Sequence, residues 1–307
     1  MNLKKIVDQE YADIKEQTLL DQKGESHILK IFDVFTESLF YESETIVSFY
    51  SEHAKELITK KIEQYTKEEI TIFSTELIEY LTTKIDPKIL LNNVRGNIFQ
   101  ERVGLFLTEL INVHFSREKI IDPYVIMTGE YGSELNHVGY RLNGPTIHIQ
   151  GDCGVNCGEG MKSGNIIVFG NAYHRLGYFM KGGTIVVNGS AADYVGQDMY
   201  DGEIIVEYFS GHRTGYRMNG GSIHIKGHTD LCTGYEMTGG IITIEKDADQ
   251  DLASNMQGGK IYLKGNARGR VGPMMRKGKV YINGNDTVTI SSLIKGGRIY
   301  HQGKRVY

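Results

Sequence analysis

A ladder of methionines repeats through the C-terminal part of the sequence with a period of 19 residues. The column consists of Met161, Met180, Met199, Met218, Met237, Met256 and Met275. Leu142 extends the ladder backwards at the same spacing, and Ile294 extends it forwards. A fixed period of this length is typical of a solenoid, in which each turn of chain stacks on the one before. The repeat therefore constrains the fold more than any other feature of the chain.

Each turn of the repeat predicts one short strand. Five positions after each ladder residue stands a β-branched residue, and seven positions after it stands an apolar one until His301 ends the run. Residues two apart share one face of a strand, so these columns predict an apolar inward face. Glycine columns lie three positions before and three positions after the ladder, with Ala253 as the exception in the first. They mark the corners, because Gly adopts positive φ freely.

The columns together predict a single-stranded right-handed parallel β-helix of about nine 19-residue turns over residues 124–307. Parallel strands stack about 4.8 Å apart, which would give a rod about 40 Å long with Ile, Val and Met in its lumen. Met suits such a lumen because its flexible thioether fills irregular gaps. A left-handed hexapeptide helix fits less well, since the sequence has no six-residue subrepeat.

Residues 1–120 predict a helical domain, so the fold class is α + β multidomain. Apolar periodicity near 3.6 places helices at 2–20, 26–60, 67–83 and 88–116. Pro87 suits a helix start, and Pro123 marks the junction with the β-helix. An open solenoid end exposes a strand edge, so this domain is expected to cap the first turn, pack along it or dock a partner.

Charge is divided unevenly along the chain. Residues 1–122 carry 15 Lys and Arg against 22 Asp and Glu, while residues 123–307 carry 19 against 16. This balance does not favour a nucleic-acid role. A basic surface near the C-terminus is either a contact patch or a solvated cap. Its members are Arg268, Arg270, Arg276, Lys277, Lys279, Lys295, Arg298, Lys304 and Arg305.

The sequence predicts neither a membrane span nor a metal site. No apolar stretch approaches 18 residues, and the acidic, amphipathic N-terminus lacks the core of a signal peptide. Three cysteines fit a reducing cytoplasm. Cys153 and Cys157 are too few for a zinc site; Cys157 lies in an apolar column, whereas the role of Cys153 stays open. No cofactor is predicted.

The outward side of the strands provides the main functional hint. The position between the two inward columns is apolar on three adjacent turns and aromatic on three later ones. These predicted interface residues are Ile167, Val186, Ile205, Tyr262, Tyr281 and Tyr300. Water should not face such a stripe alone, so it is expected to be covered either by the N-terminal helices or by another chain.

Two polar candidates lie in the loops. His174, Asp193 and His212 fall on consecutive turns, where they could bind a metal or act as acid and base. Arg175 and Arg213 beside them could hold an anion. Solenoid loops stack polar residues in any case, so a solvated scaffold is the competing interpretation. The glycine clusters lead into strands rather than helices, which argues against a dinucleotide site.

The repeats also carry a family resemblance. The segments 177–206, 215–227 and 234–244, with their Met-x-Gly-Gly-x-Ile turns, resemble the Gly-x-Gly-x-Gly β-helix family. That family includes the C-terminal domain of the glutamate synthase large subunit and the β-helix subunit of formylmethanofuran dehydrogenase. The resemblance covers residues 124–307, while residues 1–120 resemble neither protein. It implies a non-catalytic scaffold that braces active domains, and it supplies no catalytic residues.

The hypothesis from sequence is therefore a cytoplasmic, non-catalytic scaffold that acts with protein partner subunits or as a homo-oligomer, without nucleic acid or membrane. The alternative is an enzyme, or an anion- or metal-binding module, on the β-helix flank. The partner, the pathway and any activity of the first 120 residues are left open.

Overall fold

The computed structural model describes residues 54–56, 58–59, 67, 70, 94–129 and 135–307. The chain divides into two compact units, Met1–Lys119 and Ile120–Tyr307. In the first unit, helix α1 spans Val94–Glu118, and the described residues that precede it are also helical. The expected helix 2–20 lies outside the described residues, as do most of 26–60 and 67–83. The capping or docking role of residues 1–120 stays a prediction.

Helix α1 corresponds to the helix expected over 88–116 and ends two residues beyond it. Between Val103 and Ile111 every residue is buried, including the polar Thr108 and Glu109. The Thr108 hydroxyl donates to the carbonyl of Gly104 at 2.7 Å, which satisfies a polar group inside the helix packing. The apolar stripe expected for an amphipathic helix is thus part of a segment buried on all faces.

The second unit is a parallel β-solenoid of about nine turns over residues 124–301, as the repeat predicted. The strands are β1 Tyr124–Gly129, β2 Asn143–Gly151, β3 Ser163–Val168, β4 Lys181–Val187, β5 Asp201–Val206, β6 Ser222–Ile225, β7 Ile241–Ile244, β8 Lys260–Leu263, β9 Arg270–Val271, β10 Lys279–Ile282, β11 Thr289–Ile290, β12 Arg298–His301 and β13 Lys304–Arg305. Eleven of them form one sheet in the order β1-β2-β3-β4-β5-β6-β7-β8-β10-β12-β13, and β9 pairs with β11 in a second small sheet.

The register of the sheet follows the 19-residue period. Ile166 pairs with Ile185, Ile185 with Ile204, and Ile204 with Ile223. All seven methionines of the ladder are buried, as are the two inward strand columns up to His301. A third inward column, from Cys153 to Ala267, forms isolated parallel β-bridges between adjacent turns. Its residues are small, so the lumen is narrow at that corner. The core therefore runs continuously along the solenoid axis.

The C-terminal end of the sheet is closed by a short hairpin. Strand β13 is antiparallel to β12, whereas the other pairs in the large sheet are parallel. It contains only Lys304 and Arg305, which are exposed. A short, basic edge strand discourages pairing with another sheet, because adding a strand would bury unpaired cations.

The methionine ladder depends on the glycine column that follows it. A Cβ placed on Gly183 would lie 2.5 Å from Cε of Met161, which belongs to the previous turn. The same contact recurs along the solenoid at 2.5–2.8 Å, up to Gly297 and Met275. Each methionine therefore reaches over the glycine of the next turn, and no other residue leaves room for it. The two columns repeat together for this steric reason.

The glycine column three positions before the ladder has one exception, Ala253, and a smaller residue in the next turn compensates for its methyl group. A Cβ on Gly234 would lie 2.5 Å from Cδ1 of Ile261, 27 positions later. Ala253 occupies the next place in that column with φ of 59°, and its counterpart 27 positions later is Val280. Valine has no Cδ1, so the alanine methyl meets no clash. Val280 is also the single departure from isoleucine in its column.

We predict that Val280→Ile destabilises the protein by about 1–3 kcal/mol, because the added methyl overpacks against Ala253. In an Ala253→Gly background the same substitution should cost less than about 0.5 kcal/mol, since that pair restores the arrangement of the other turns. Urea unfolding of the four chains of this cycle measures the coupling. Equal costs of Val280→Ile in both backgrounds would contradict the compensation.

Candidate functional site

Loop carboxylates and amides in the solenoid connect successive turns. The Asp152 Oδ1 accepts a hydrogen bond from the backbone N–H of Asn171 at 2.6 Å, and the Asn171 Oδ1 accepts one from Ser190 at 2.9 Å. Asp247 accepts in the same way from Asn266 at 2.8 Å. Each side chain satisfies a backbone donor one turn later. Polar residues at these loop positions are therefore used to hold turns together.

The same kind of contact between turns occurs in the group predicted from the sequence, His174, Asp193 and His212. The structure brings the three together: His174 Nδ1 lies 3.5 Å from Asp193 Oδ2, and Asp193 Oδ1 accepts from the backbone N–H of His212 at 2.9 Å. The imidazole of His212 instead faces Asp230, with its Nδ1 3.5 Å from Oδ1. Both histidine side chains are half exposed. Asp193 thus bridges turns. Within the described residues these side chains are not placed to hold a metal ion, and a catalytic role for the group stays a prediction.

The predicted anion ligand Arg213 lies among tyrosines. Its guanidinium carbon is 5.6–5.8 Å from the ring centroids of Tyr194, Tyr216 and Tyr235, and its Nη1 donates to the Tyr194 hydroxyl at 3.0 Å. Arg175 lies 5.8 Å from the Tyr178 ring. Cation–π attraction holds these side chains against the flank. That these arginines bind an anion stays a prediction.

The tyrosine cluster around these arginines was not predicted from the sequence, although its spacing is visible there. Tyr178, Tyr216 and Tyr235 stand two positions before their ladder methionines, and Tyr216 stacks on Tyr235 with centroids 5.5 Å apart. Beside them, Arg217 donates to Asp198 at 2.8 Å. Burial, followed by the charge of Asp198, raises the pKa of Tyr178. The tyrosine rings therefore serve as packing surfaces for arginine.

Cys153 and Cys157 are completely buried in the lumen, whereas Cys232 is half buried. A hydrogen bond with Cys157, together with burial, raises the pKa of the Cys153 thiol well above its ordinary value. Burial also raises the pKa of Cys232. A thiol of raised pKa is a poor nucleophile, because the thiolate is the reactive form. Cys153, whose role the sequence left open, is thus a buried neutral thiol.

We predict that iodoacetamide at pH 8 modifies Cys232 in the folded protein while Cys153 and Cys157 stay unmodified. Urea should make all three reactive, because unfolding exposes them to the reagent. Peptide mass spectrometry measures the modified fraction at each position. Modification of Cys153 in the folded chain at the rate of Cys232 would contradict its burial.

The predicted interface residues share the outward face of the large sheet. Ile167, Val186 and Ile205 pair in register and are half buried. Further along, Tyr262, Tyr281 and Tyr300 form a continuous stack with centroids 4.8 Å apart and planes within 11° of parallel. We name these six residues the outward stripe. Its interface role stays a prediction.

Between the two parts of the outward stripe lies a polar network. Glu245 contacts Lys264 Nζ at 2.8 Å and His224 Nε2 at 2.7 Å. The hydrogen bond with Lys264, followed by that with His224, lowers the pKa of the Glu245 carboxyl. A lowered pKa contributes stability above the ordinary carboxyl pKa, and this stability is lost as pH falls through the folded-state pKa.

We predict that Glu245→Gln destabilises the protein by up to about 1 kcal/mol at pH 7 and has a smaller effect at pH 3. Chemical unfolding at the two pH values measures the difference. Glu203→Gln is the matched control, since Glu203 is exposed and has no ion pair within the part of the chain that the structure describes. An undiminished effect of Glu245→Gln at pH 3 would rule out the ionised network as its cause.

The basic surface expected near the C-terminus separates into two parts. Arg268 and Arg270 pair with Asp247 and Asp251, at 2.7 and 2.9 Å. Lys260, Arg276, Lys277, Lys279 and Arg298 instead line a groove whose floor is glycine. We name it the basic groove. Sequence reasoning identified four of its five cations, but it did not include Lys260 or separate them from the paired arginines.

Over the described ranges, no group of three or more His, Cys, Asp or Glu side chains is placed to hold a metal ion. In the same part of the chain, no helix has the length and apolarity that crossing a bilayer requires.

Comparison with known proteins gives a partial likeness to a solved structure. No family profile and no curated protein matches the chain. Among solved structures, a chain of the formyltransferase/hydrolase complex from Methylorubrum extorquens, in complex with methylofuran, is similar at 28% identity and a TM-score of 0.43. The match covers 48% of this chain and 58% of that chain, so it spans less than two thirds of the latter. A partial match at this TM-score does not assign an activity.

Proposed function

We propose that the protein is a non-catalytic structural scaffold and that the outward stripe is its docking surface for a partner subunit or a second copy. The observation that carries this proposal is the stripe itself. Ile167, Val186 and Ile205 lie side by side on three paired strands, and their side chains are only half buried. An apolar surface on a regular sheet gains free energy when another protein covers it.

The construction of the solenoid supports the same function. Its polar loop residues are used to bridge turns, as Asp152, Asn171 and Asp193 show. Its lumen is filled with buried methionine and β-branched residues, which leave the outer surface as the place where other molecules can bind. Such a surface can hold partners in fixed positions along an axis. The resemblance of residues 177–244 to the Gly-x-Gly-x-Gly β-helix family also implies a scaffold.

The tyrosine stack extends the docking surface. Stacked rings lose little conformational freedom when a partner binds, because their neighbours already hold them. Tyrosine is also enriched among the residues that carry most of the binding free energy in protein interfaces. Tyr262, Tyr281 and Tyr300 therefore suit an interface better than an exposed surface. The enzymatic alternative at His174, Asp193 and His212 has no comparable feature in its favour.

We predict that Ile205→Asp weakens assembly by at least about tenfold, because it buries a charge where the partner covers the stripe. Light scattering of the purified full chain over a concentration series measures the native mass, alone and with a co-purified partner. The wild-type chain should form an assembly larger than one chain, and Ile205→Asp should shift it towards the monomer.

Tyr173→Asp is the matched control, because Tyr173 is exposed and lies in a loop away from the outward stripe. It adds the same charge and should leave the native mass unchanged. Circular dichroism checks that both variants keep their strand content. A wild-type chain that remains monomeric at all concentrations and binds no partner contradicts the proposed function.

A further inference from the structure

On three consecutive turns, the basic groove contains a cationic side chain and the glycine that precedes it. Lys260, Lys279 and Arg298 pair in register, so their side chains follow one another along the solenoid axis. A glycine directly precedes each of them, namely Gly259, Gly278 and Gly297. Arg276 and Lys277 also line the groove, and no Asp or Glu is among its lining residues. The groove is therefore positively charged throughout this part.

The glycines of the floor provide hydrogen-bond donors as well as space. Within the described residues, the backbone N–H groups of Gly240, Gly259, Gly278 and Gly297 donate no hydrogen bond, although the N–H of the neighbouring Lys260 donates to Gly240 at 3.0 Å. All four glycines have φ between 78° and 97°. Unpaired backbone N–H groups carry a partial positive charge, so four of them on adjacent turns favour a bound anion.

The cations of the groove are available as well. None of the five cations makes an ion pair inside the described ranges. Four of them are exposed and Lys279 is half buried. Three other cations of the solenoid, Lys226, Lys264 and Arg268, by contrast each pair with a carboxylate. Cations stacked about 4.8 Å apart repel one another, so an anion placed along the row would stabilise it.

The groove has a second, uncharged part. It begins at Gly220 and Gly221, passes Gly240 and reaches the side chain of Ile241, which is 39% exposed. From Gly220 to Arg298 the groove crosses five turns, which is a length of about 19 Å at a strand spacing of about 4.8 Å. About six residues of extended peptide cover that length. One end of the groove thus suits apolar atoms, and the other suits carboxylates.

Single-stranded nucleic acid fits this surface less well. Binding of that kind combines a basic channel with aromatic rings on which bases stack. No aromatic residue lines the groove within the described part of the chain. The neighbouring rings of Tyr262, Tyr281 and Tyr300 stack face to face with one another, which occupies both faces of Tyr281 and one face of each outer ring. The apolar end at Ile241 likewise has no partner in a purely anionic chain such as polyphosphate.

We infer that the basic groove binds an extended acidic peptide segment of a partner protein, with an apolar residue of that segment against Ile241. Lys260, Lys279 and Arg298 bind its carboxylates together with the N–H groups of the preceding glycines. This inference rests on the proposed function, because it identifies the chemistry of the partner. The groove also lies beside the outward stripe, since Lys279 and Tyr281 are two apart on strand β10.

The test uses the purified full chain and two fluorescein-labelled peptides, one with two leucines followed by six glutamates and one with two serines in their place. Fluorescence anisotropy measures binding at low salt. The leucine peptide should bind, and Lys279→Gln should weaken it about tenfold through the loss of a charge-assisted contact. The Lys279→Gln/Arg298→Gln pair should weaken it about a hundredfold.

Lys226→Gln is the matched control, because Lys226 lies in the same solenoid but outside the groove and already pairs with Glu207. It removes one positive charge and should change binding less than about twofold. The serine peptide should bind about threefold more weakly than the leucine peptide, and Ile241→Ser should abolish that difference. These variants change side chains outside the lumen and leave the core intact.

Three results would overturn the inference: no binding of either peptide, equal weakening by Lys226→Gln and Lys279→Gln, or tighter Lys279-dependent binding of polyphosphate or an oligothymidylate than of the leucine peptide. Failure here is distinguishable from failure of the proposed function. If the native mass depends on Ile205 while no peptide binds, only the groove inference fails. If peptides bind to a chain that never assembles, only the role of the outward stripe fails.

Discussion

The packing of one turn of chain on the next is the interaction on which the solenoid depends. Met161 fits over Gly183 of the following turn, and Ile261 fits over Gly234 of the preceding one. Because these contacts join adjacent turns, a change at one position must be matched in the neighbouring turn, as Ala253 and Val280 show. The lumen thereby sets the register, and the register places every outward side chain.

The same stacking gives the surface its character. A residue type repeated at one position becomes a row of like groups about 4.8 Å apart. For tyrosine the row is favourable, since Tyr262, Tyr281 and Tyr300 stack in nearly parallel planes. For Lys260, Lys279 and Arg298 the row is unfavourable unless something neutralises it. Carboxylates do this for Lys264 and Arg268 within the chain, whereas the lining of the basic groove contains none among the described residues.

The polar side chains of the loops also serve the packing of one turn on the next. Every turn contains backbone donors that must be satisfied, and Asp152, Asp193 and Asp247 accept from the next turn. A row of polar residues in the sequence therefore indicates a structural ladder before it indicates an active site. The free donors of Gly259, Gly278 and Gly297 differ from this pattern, because no side chain reaches them within the described residues.

By itself, the sequence determined the class of the second unit, its period and its inward columns, because steric demands at the methionine and glycine positions repeat without interruption over many turns. It also identified the outward stripe, since strand alternation separates inward from outward positions. Only the tertiary structure decided which polar groups are free. Whether Arg268 meets Asp247, or Lys260 meets no carboxylate in the described part of the chain, depends on side chains one turn away and on their lateral offset. That offset is set by the corners of each turn, where residues of positive φ turn the backbone, and periodicity alone does not specify it.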